Sequence, residues 1–160
     1  PSYYPELEEN ESISIPDNTS IINALKLTGK NKKGLSLGVV NSMTSKEQAT
    51  ISSDIGKTRE SVEPFTNYFI GRVKQDWNKG NTTLGGIATS TVRNIKDEQL
   101  QFLADKSLVG GVDFEHNWLN RKYFINTKSF YSKIDGSEMA ISRLQRSSQH
   151  LFQREDAEHL

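Results

Sequence analysis

The chain contains no cysteine. That excludes disulfide staples, thiolate metal sites and a cysteine nucleophile. It also lacks net charge, with 20 Lys and Arg against 20 Asp and Glu. The basic excess that drives phosphate neutralisation is missing, so nucleic acid is not an expected partner. No stretch approaches the roughly 18 consecutive apolar residues of a membrane helix. Hydrophobic residues are only 34% of 160, too little material for a large dry core. Pro1 opens the chain without Met or a signal peptide, as in a processed or excised piece.

Aromatic residues, by contrast, fall in runs with β character. Ile21 to Gly29 alternates, with Leu25 and Leu27 on one side and Lys26 and Thr28 on the other. Residues 30–34 turn the chain, and Leu35, Leu37 and Val39 resume the alternation. Period two in adjacent runs around a Gly-ended polar turn predicts a hairpin. A second hairpin runs from Thr66 to Trp77 and returns over Thr82 to Val92. Its return strand is rich in Thr and small residues, and its sidedness is ambiguous. Gly85-Gly86 within it marks a kink or a crowded neighbour. In the third hairpin, Leu108, Val112, Phe114 and Trp118 share one face of Leu108 to Trp118. Asp113, Glu115 and Asn117 share the other, and a return strand begins at Tyr123. Phe124 and Phe130 break the alternation of that return strand. A seventh strand is expected to begin near Ser147.

The connections carry a second pattern. Those near residues 30–34, 78–81 and 119–121 are short, whereas residues 43–65, 94–107 and 134–147 read as longer polar loops. The loop at 94–107 has room for a short helix packing through Leu100 and Leu103. Residues 1–20 read as an extended leading segment, and 21–160 as an antiparallel hairpin array. The expected fold is all-β: a meander of hairpins with alternating short turns and long loops, forming part of a transmembrane β-barrel. Bacterial barrels combine short periplasmic turns with long external loops, strands of roughly 9–11 residues, and alternation of lipid-facing and lumen-facing side chains. With six strands and the start of a seventh, the segment is too small to close alone, so its first and last strands should be open edges.

The candidate functional residues follow from that reading. Arg72, Lys74, Asp113, Glu115 and Asn117 are expected to face a wet lumen. Trp77, Trp118 and Tyr123 flank the short turns and would form an aromatic belt at one interface. Asp113 and Glu115 are a same-face carboxylate pair. Glycosidases draw such pairs from separate strands of a pocket, so an ion-pair network with Arg72, Lys74 or Lys128 is the better assignment. The chain holds only His116, His150 and His159, and His116 shares a face with Phe114 and Trp118, which favours packing over zinc ligation. The run Asp76 to Asn81 lacks the distal Glu of a calcium loop and reads as a turn. TLGGIAT lacks the Lys and following helix of a phosphate loop. No catalytic residue, metal site or cofactor is therefore assigned.

The phrases IINALKLTGKNKKGLSLGVVNSMTSKE, VEPFTNYFIGRVKQDWNKGNTTLGGIATSTVRN, VGGVDFEHNW and SSQHLFQREDAEH resemble a family of bacterial outer-membrane proteins of unknown function. Members pair an N-terminal carbohydrate-binding module resembling family nine with a long C-terminal β-barrel region. The resemblance runs from about Tyr3 to His159 and places this chain within the barrel region. The module is absent here, and Glu155 stands where the family phrase has proline. What the resemblance implies is an outer-membrane barrel segment that is more structural than enzymatic. Its expected partners are outer-membrane lipid, carbohydrate and the remainder of the same parent chain, with a role in carbohydrate binding, glycan handling or transport. Two alternatives stay open: a soluble β-sandwich that binds carbohydrate, and a glycan hydrolase with its site in the lumen or loops.

Overall fold

A computed structural model describes residues 1–147. Its strands are β1 (Ser12–Ser14), β2 (Ile21–Lys30), β3 (Leu35–Thr44), β4 (Glu47–Ser53), β5 (Gly56–Glu63), β6 (Phe65–Trp77), β7 (Thr82–Asn94), β8 (Ala104–Trp118) and β9 (Tyr123–Gly136), followed by helix α1 (Glu138–Gln145). All strand pairing is antiparallel. The large sheet has six strands in the order β2-β3-β6-β7-β8-β9, and a small one has the order β1-β4-β5. The large sheet does not close, and β2 and β9 are open edges. The three expected hairpins are present, each a few residues longer than its clearest alternation.

Turn chemistry sets where the strands end. Asn31 bonds the backbone of Lys33 and Leu35 through Oδ1, both at 2.9 Å. Gly34 follows with φ 89°; a Cβ there would strike the Asp76 carbonyl, so only glycine fits. Asn78 and Lys79 take the left-handed conformation in the second turn, and Leu119 to Arg121 in the third. Asn tolerates that conformation better than most residues.

Two expectations need correction. Residues 43–65 are not a polar loop but contain the hairpin β4–β5. Its Ala49, Ile51 and Val62 alternate with polar neighbours and are buried, a pattern obscured in the sequence by the surrounding Ser, Thr and Glu. Within residues 1–20, β1 pairs with β4 through Ile13 and Ile51. The stretch 134–147 is strand to Gly136 and then helix α1, whose first turn is capped by the Ser137 hydroxyl accepting from the Ala140 amide at 3.1 Å. Ser147 lies in a bend, and the rest of the expected seventh strand falls outside the described residues.

The core lies in an unusual place. Apart from the prolines Pro5 and Pro64, the buried apolar side chains among the described residues are Ala49, Ile51, Val62, Leu100 and Ala140. None belongs to the six-stranded sheet. They sit in the small sheet, the connection after β7 and α1, all at the end of the large sheet away from the short turns. Leu100, expected to pack, is fully buried. Gln99 holds this cap together by donating to the Ser61 carbonyl at 3.4 Å, and Lys46 by meeting Asp97 at 2.7 Å.

Candidate functional site

Residues paired directly across antiparallel strands share a face, so the register sorts the large sheet. One face carries Leu25, Leu37, Val73, Leu84, Val112, Phe114 and Ile125. The other carries Lys26, Arg72, Lys74, Asp76, Asp113, Glu115, Asn117 and Lys128. The register also resolves β7: Leu84, Gly86 and Ala88 join the apolar face, and Thr83, Gly85 and Ile87 the charged one. From the level of Leu27 to that of Trp118, the apolar face holds no Lys, Arg, Asp or Glu. Charge returns to it only near the cap, at Lys106, Lys133 and Asp135. Among the described residues nothing covers this face: Leu25, Leu37, Val73 and Val112 are 60%, 45%, 45% and 57% exposed. Isolated exposed apolar residues are ordinary, but a contiguous face of them marks an interaction surface.

On the charged face Asp113 is the hub. Its carboxylate lies over Gly85, where a Cβ would come within 2.5 Å of Oδ1. That gap lets it reach past β7 to Arg72 on β6, at 2.8 Å from Nη2. Lys128 is its direct neighbour on β9. Glu115 accepts from Asn117 at 2.8 Å and from Asn126 at 3.4 Å. Asp76 Oδ1 is buried without a hydrogen bond, and its charge is met by Lys74 Nζ at 3.6 Å; Lys30 Nζ approaches the other oxygen at 3.7 Å. Arg72, Lys74, Asp113, Glu115, Asn126, Lys128 and Phe130 line an open depression of about 240 Å³. Phe130 lies across Gly111, where a Cβ would collide with its ring. The two phenylalanines that break the β9 alternation thus stand on the charged face, and one of them covers a glycine.

All five lumen candidates from the sequence fall on this one face. Arg72 and Asp113 form an ion pair, Asn117 supports Glu115, and Lys74 joins Asp76 rather than Asp113. Pattern reading missed the role of Gly85, although its crowding was legible. The belt candidates gather at the short-turn end of the apolar face. Trp118 pairs directly with Tyr123, and Trp77 lies level with Thr82 and His116. His116 stacks between Phe114 and Trp118, with centroids 6.5 and 5.3 Å away, and its Nδ1 meets the Thr82 hydroxyl at 2.8 Å.

The charged face offers hydrogen bonds and fixed charge, while the hydroxyl–imidazole contact of Thr82 with His116 lies on the apolar face. Shifted carboxyls occur instead in the cap. Asp97 is held below its ordinary range, chiefly by the hydrogen bond from Lys46. Glu47 is lowered by the Ser45 hydroxyl and then the Ser20 amide, at 2.6 and 2.8 Å. Among known proteins, residues 1–153 match a family described as a domain of unknown function, DUF5916. No curated protein and no solved structure matches.

Proposed function

We propose that this chain, which belongs to the DUF5916 family, supplies six consecutive strands of a bacterial outer-membrane β-barrel, closed by further strands of the same parent chain. One observation carries the reading. Every charge on the central part of the large sheet is on one face, while the opposite face carries none, is dominated there by apolar side chains and is left uncovered by the described residues. A membrane barrel needs that division, with lipid outside and water inside. A soluble sandwich needs a second sheet over the apolar face. Among the described residues no such layer lies there, and the buried core is in the cap.

The open edges support the same reading. Every residue of β2 is exposed, as is every residue of β9 up to Asp135. Long bare edges template pairing with more strands, and barrel closure removes them. Arg72, Lys74, Asp113, Glu115, Asn117 and Lys128 then face a hydrated lumen. A place in glycan handling or transport rests on the sequence resemblance, and these polar groups are what a saccharide would meet inside.

The test is extraction of the full parent protein from membranes of the producing cell. The account expects it to stay with the outer membrane through alkaline carbonate and to dissolve only in detergent. It also expects unheated samples to run at a different electrophoretic mobility from boiled ones. A parent protein that is monomeric in detergent-free buffer contradicts the reading.

A further inference from the structure

The three short turns share a basic chemistry. Residues 30–34, 78–81 and 119–122 contain Lys30, Lys32, Lys33, Lys79, Arg121 and Lys122 and no Asp or Glu. The opposite end is mixed, and residues 1–20 alone bring five acids there (Glu6, Glu8, Glu9, Glu11 and Asp17). A chain without net charge is therefore polarised along its strands, with its basic pole at the turns.

Hydrogen bonds join these turns into one rim. Gln75 Nε2 donates to the Lys33 carbonyl at 2.8 Å, and the Asp76 amide to the Gly34 carbonyl at 3.0 Å. The Asn117 amide donates to the Asn81 carbonyl at 2.7 Å, and Arg121 Nε reaches the Asn81 side chain at 3.4 Å. Between the first two turns lies an open cleft of about 450 Å³ lined by Lys32, Lys33, Lys79, Asp76 and Trp77. Asp76 is already met by Lys30 and Lys74, so the three lysines are the charge a ligand would meet. The cleft opens beside Trp77, and Lys122 Nζ stands 5.9 Å from the centre of the Tyr123 ring. The basic rim thus directly continues the aromatic edge of the apolar face.

We infer that this rim binds the headgroups of anionic phospholipid in the leaflet it meets. The inference rests on the membrane reading and adds the lipid class. Lysine is a flexible point charge suited to a mobile phosphate layer, and basic residues beside a hydrophobic surface draw anionic lipid within a Debye length. An acidic soluble macromolecule would meet the same charge, but it would not explain why the lysines adjoin Trp77 and the apolar face.

The probe is quenching of tryptophan fluorescence by brominated phosphatidylglycerol and, separately, brominated phosphatidylcholine. The full parent protein is reconstituted in mixed bilayers, and the share of quenching removed by Trp77→Phe is read. Phosphatidylglycerol should be enriched about fivefold beside Trp77, the effect of one basic residue near a charged surface. Lys32→Gln, Lys33→Gln and Lys79→Gln together should bring the ratio close to one and leave phosphatidylcholine quenching intact. An equal preference for the two lipids in the parent, or one unchanged in the triple variant, overturns the inference and leaves the barrel standing. Lysine-dependent binding of polyglutamate without lipid preference also overturns it. Absence of quenching by either lipid overturns the membrane reading itself. The unheated electrophoretic mobility of the triple variant controls for folding.

Discussion

Replacing Val112 separates a lipid face from a packed core, because the two respond differently to size. Trp118 lies six residues further along β8, about 20 Å at ~3.4 Å per residue. At a tilt of about 40° this puts Val112 about 15 Å below the aromatic belt, near the middle of a hydrocarbon layer about 30 Å thick. Val112→Arg should then cost roughly 2–4 kcal/mol, the midplane penalty for a basic residue on the lipid face. Val112→Phe should cost close to nothing. Its cross-strand partners are Gly86 and Ser129, both small, and lipid tails rearrange around a larger ring. In a close-packed core the same enlargement costs about 1–3 kcal/mol. Val109 supplies the internal control, since it sits on the charged face beside Thr89 and Ser132. Val109→Arg should cost less than about 1 kcal/mol, because a hydrated lumen accepts the charge. The assay is guanidinium unfolding of the parent protein folded in phospholipid vesicles, followed by tryptophan fluorescence. If Val112→Phe is as damaging as Val112→Arg, or Val109→Arg as costly as Val112→Arg, the facing is wrong.

Two further predictions follow. Gly85→Ala should be nearly neutral in the parent protein, because the gain of about 0.5–1 kcal/mol from replacing a strand glycine offsets the loss of the partly exposed Arg72–Asp113 pair, worth up to about 1 kcal/mol. In an Asp113→Ala background it should instead stabilise by about 0.5–1 kcal/mol, and a double-mutant cycle by urea unfolding showing no coupling would sink the role given to Gly85. The cap should loosen in acid. The folded-state carboxyls of Glu47 and Asp97 are lowered, so their contribution is present above the unfolded values near pH 4 and is lost as pH falls through the lower folded ones. Amide exchange in residues 44–65 and 94–103, corrected for its intrinsic pH dependence, should rise below about pH 4. Glu47→Gln with Asp97→Asn should flatten that rise, and an unchanged profile would contradict the assignment.

Much of the large sheet is legible in the sequence because alternation, turn chemistry and strand length agree in each hairpin. Leu108 to Trp118 is the clearest case, with Val112, Phe114 and Trp118 set against Asp113, Glu115 and Asn117. The strand β7 is illegible by pattern, since Thr, Ser, Ala and Gly suit either face; pairing with β6 and β8 decides its sidedness. The hairpin β4–β5 hides for another reason. It buries only Ala49, Ile51 and Val62 of its apolar side chains, too few to stand out among Ser, Thr and Glu. Helix α1 is short and buries only Ala140 fully, so its amphipathic signal is weak. At the candidate site, residue types and faces were readable, but the partners were not. Asp113 meets Arg72 rather than the nearer-paired Lys128, and that depends on the empty space over Gly85. The basic rim was in plain view, since counting charge turn by turn reveals it without any structure.

The central claim, lipid on one face and water on the other, is tested most directly by spin labels placed singly along β8 from residue 108 to 116. The chain has no cysteine of its own, and any in the remainder of the parent protein are first changed to Ser. With the parent protein in liposomes, collision rates with oxygen and with a water-soluble nickel chelate are read at each position. The account predicts period-two profiles in antiphase: oxygen high at 108, 110, 112 and 114, and the chelate high at 109, 113 and 115, with Gly111 left unlabelled because a side chain there collides with Phe130. Low accessibility to both reagents at 110, 112 and 114 would mean a dry protein core behind the apolar face and would contradict the barrel.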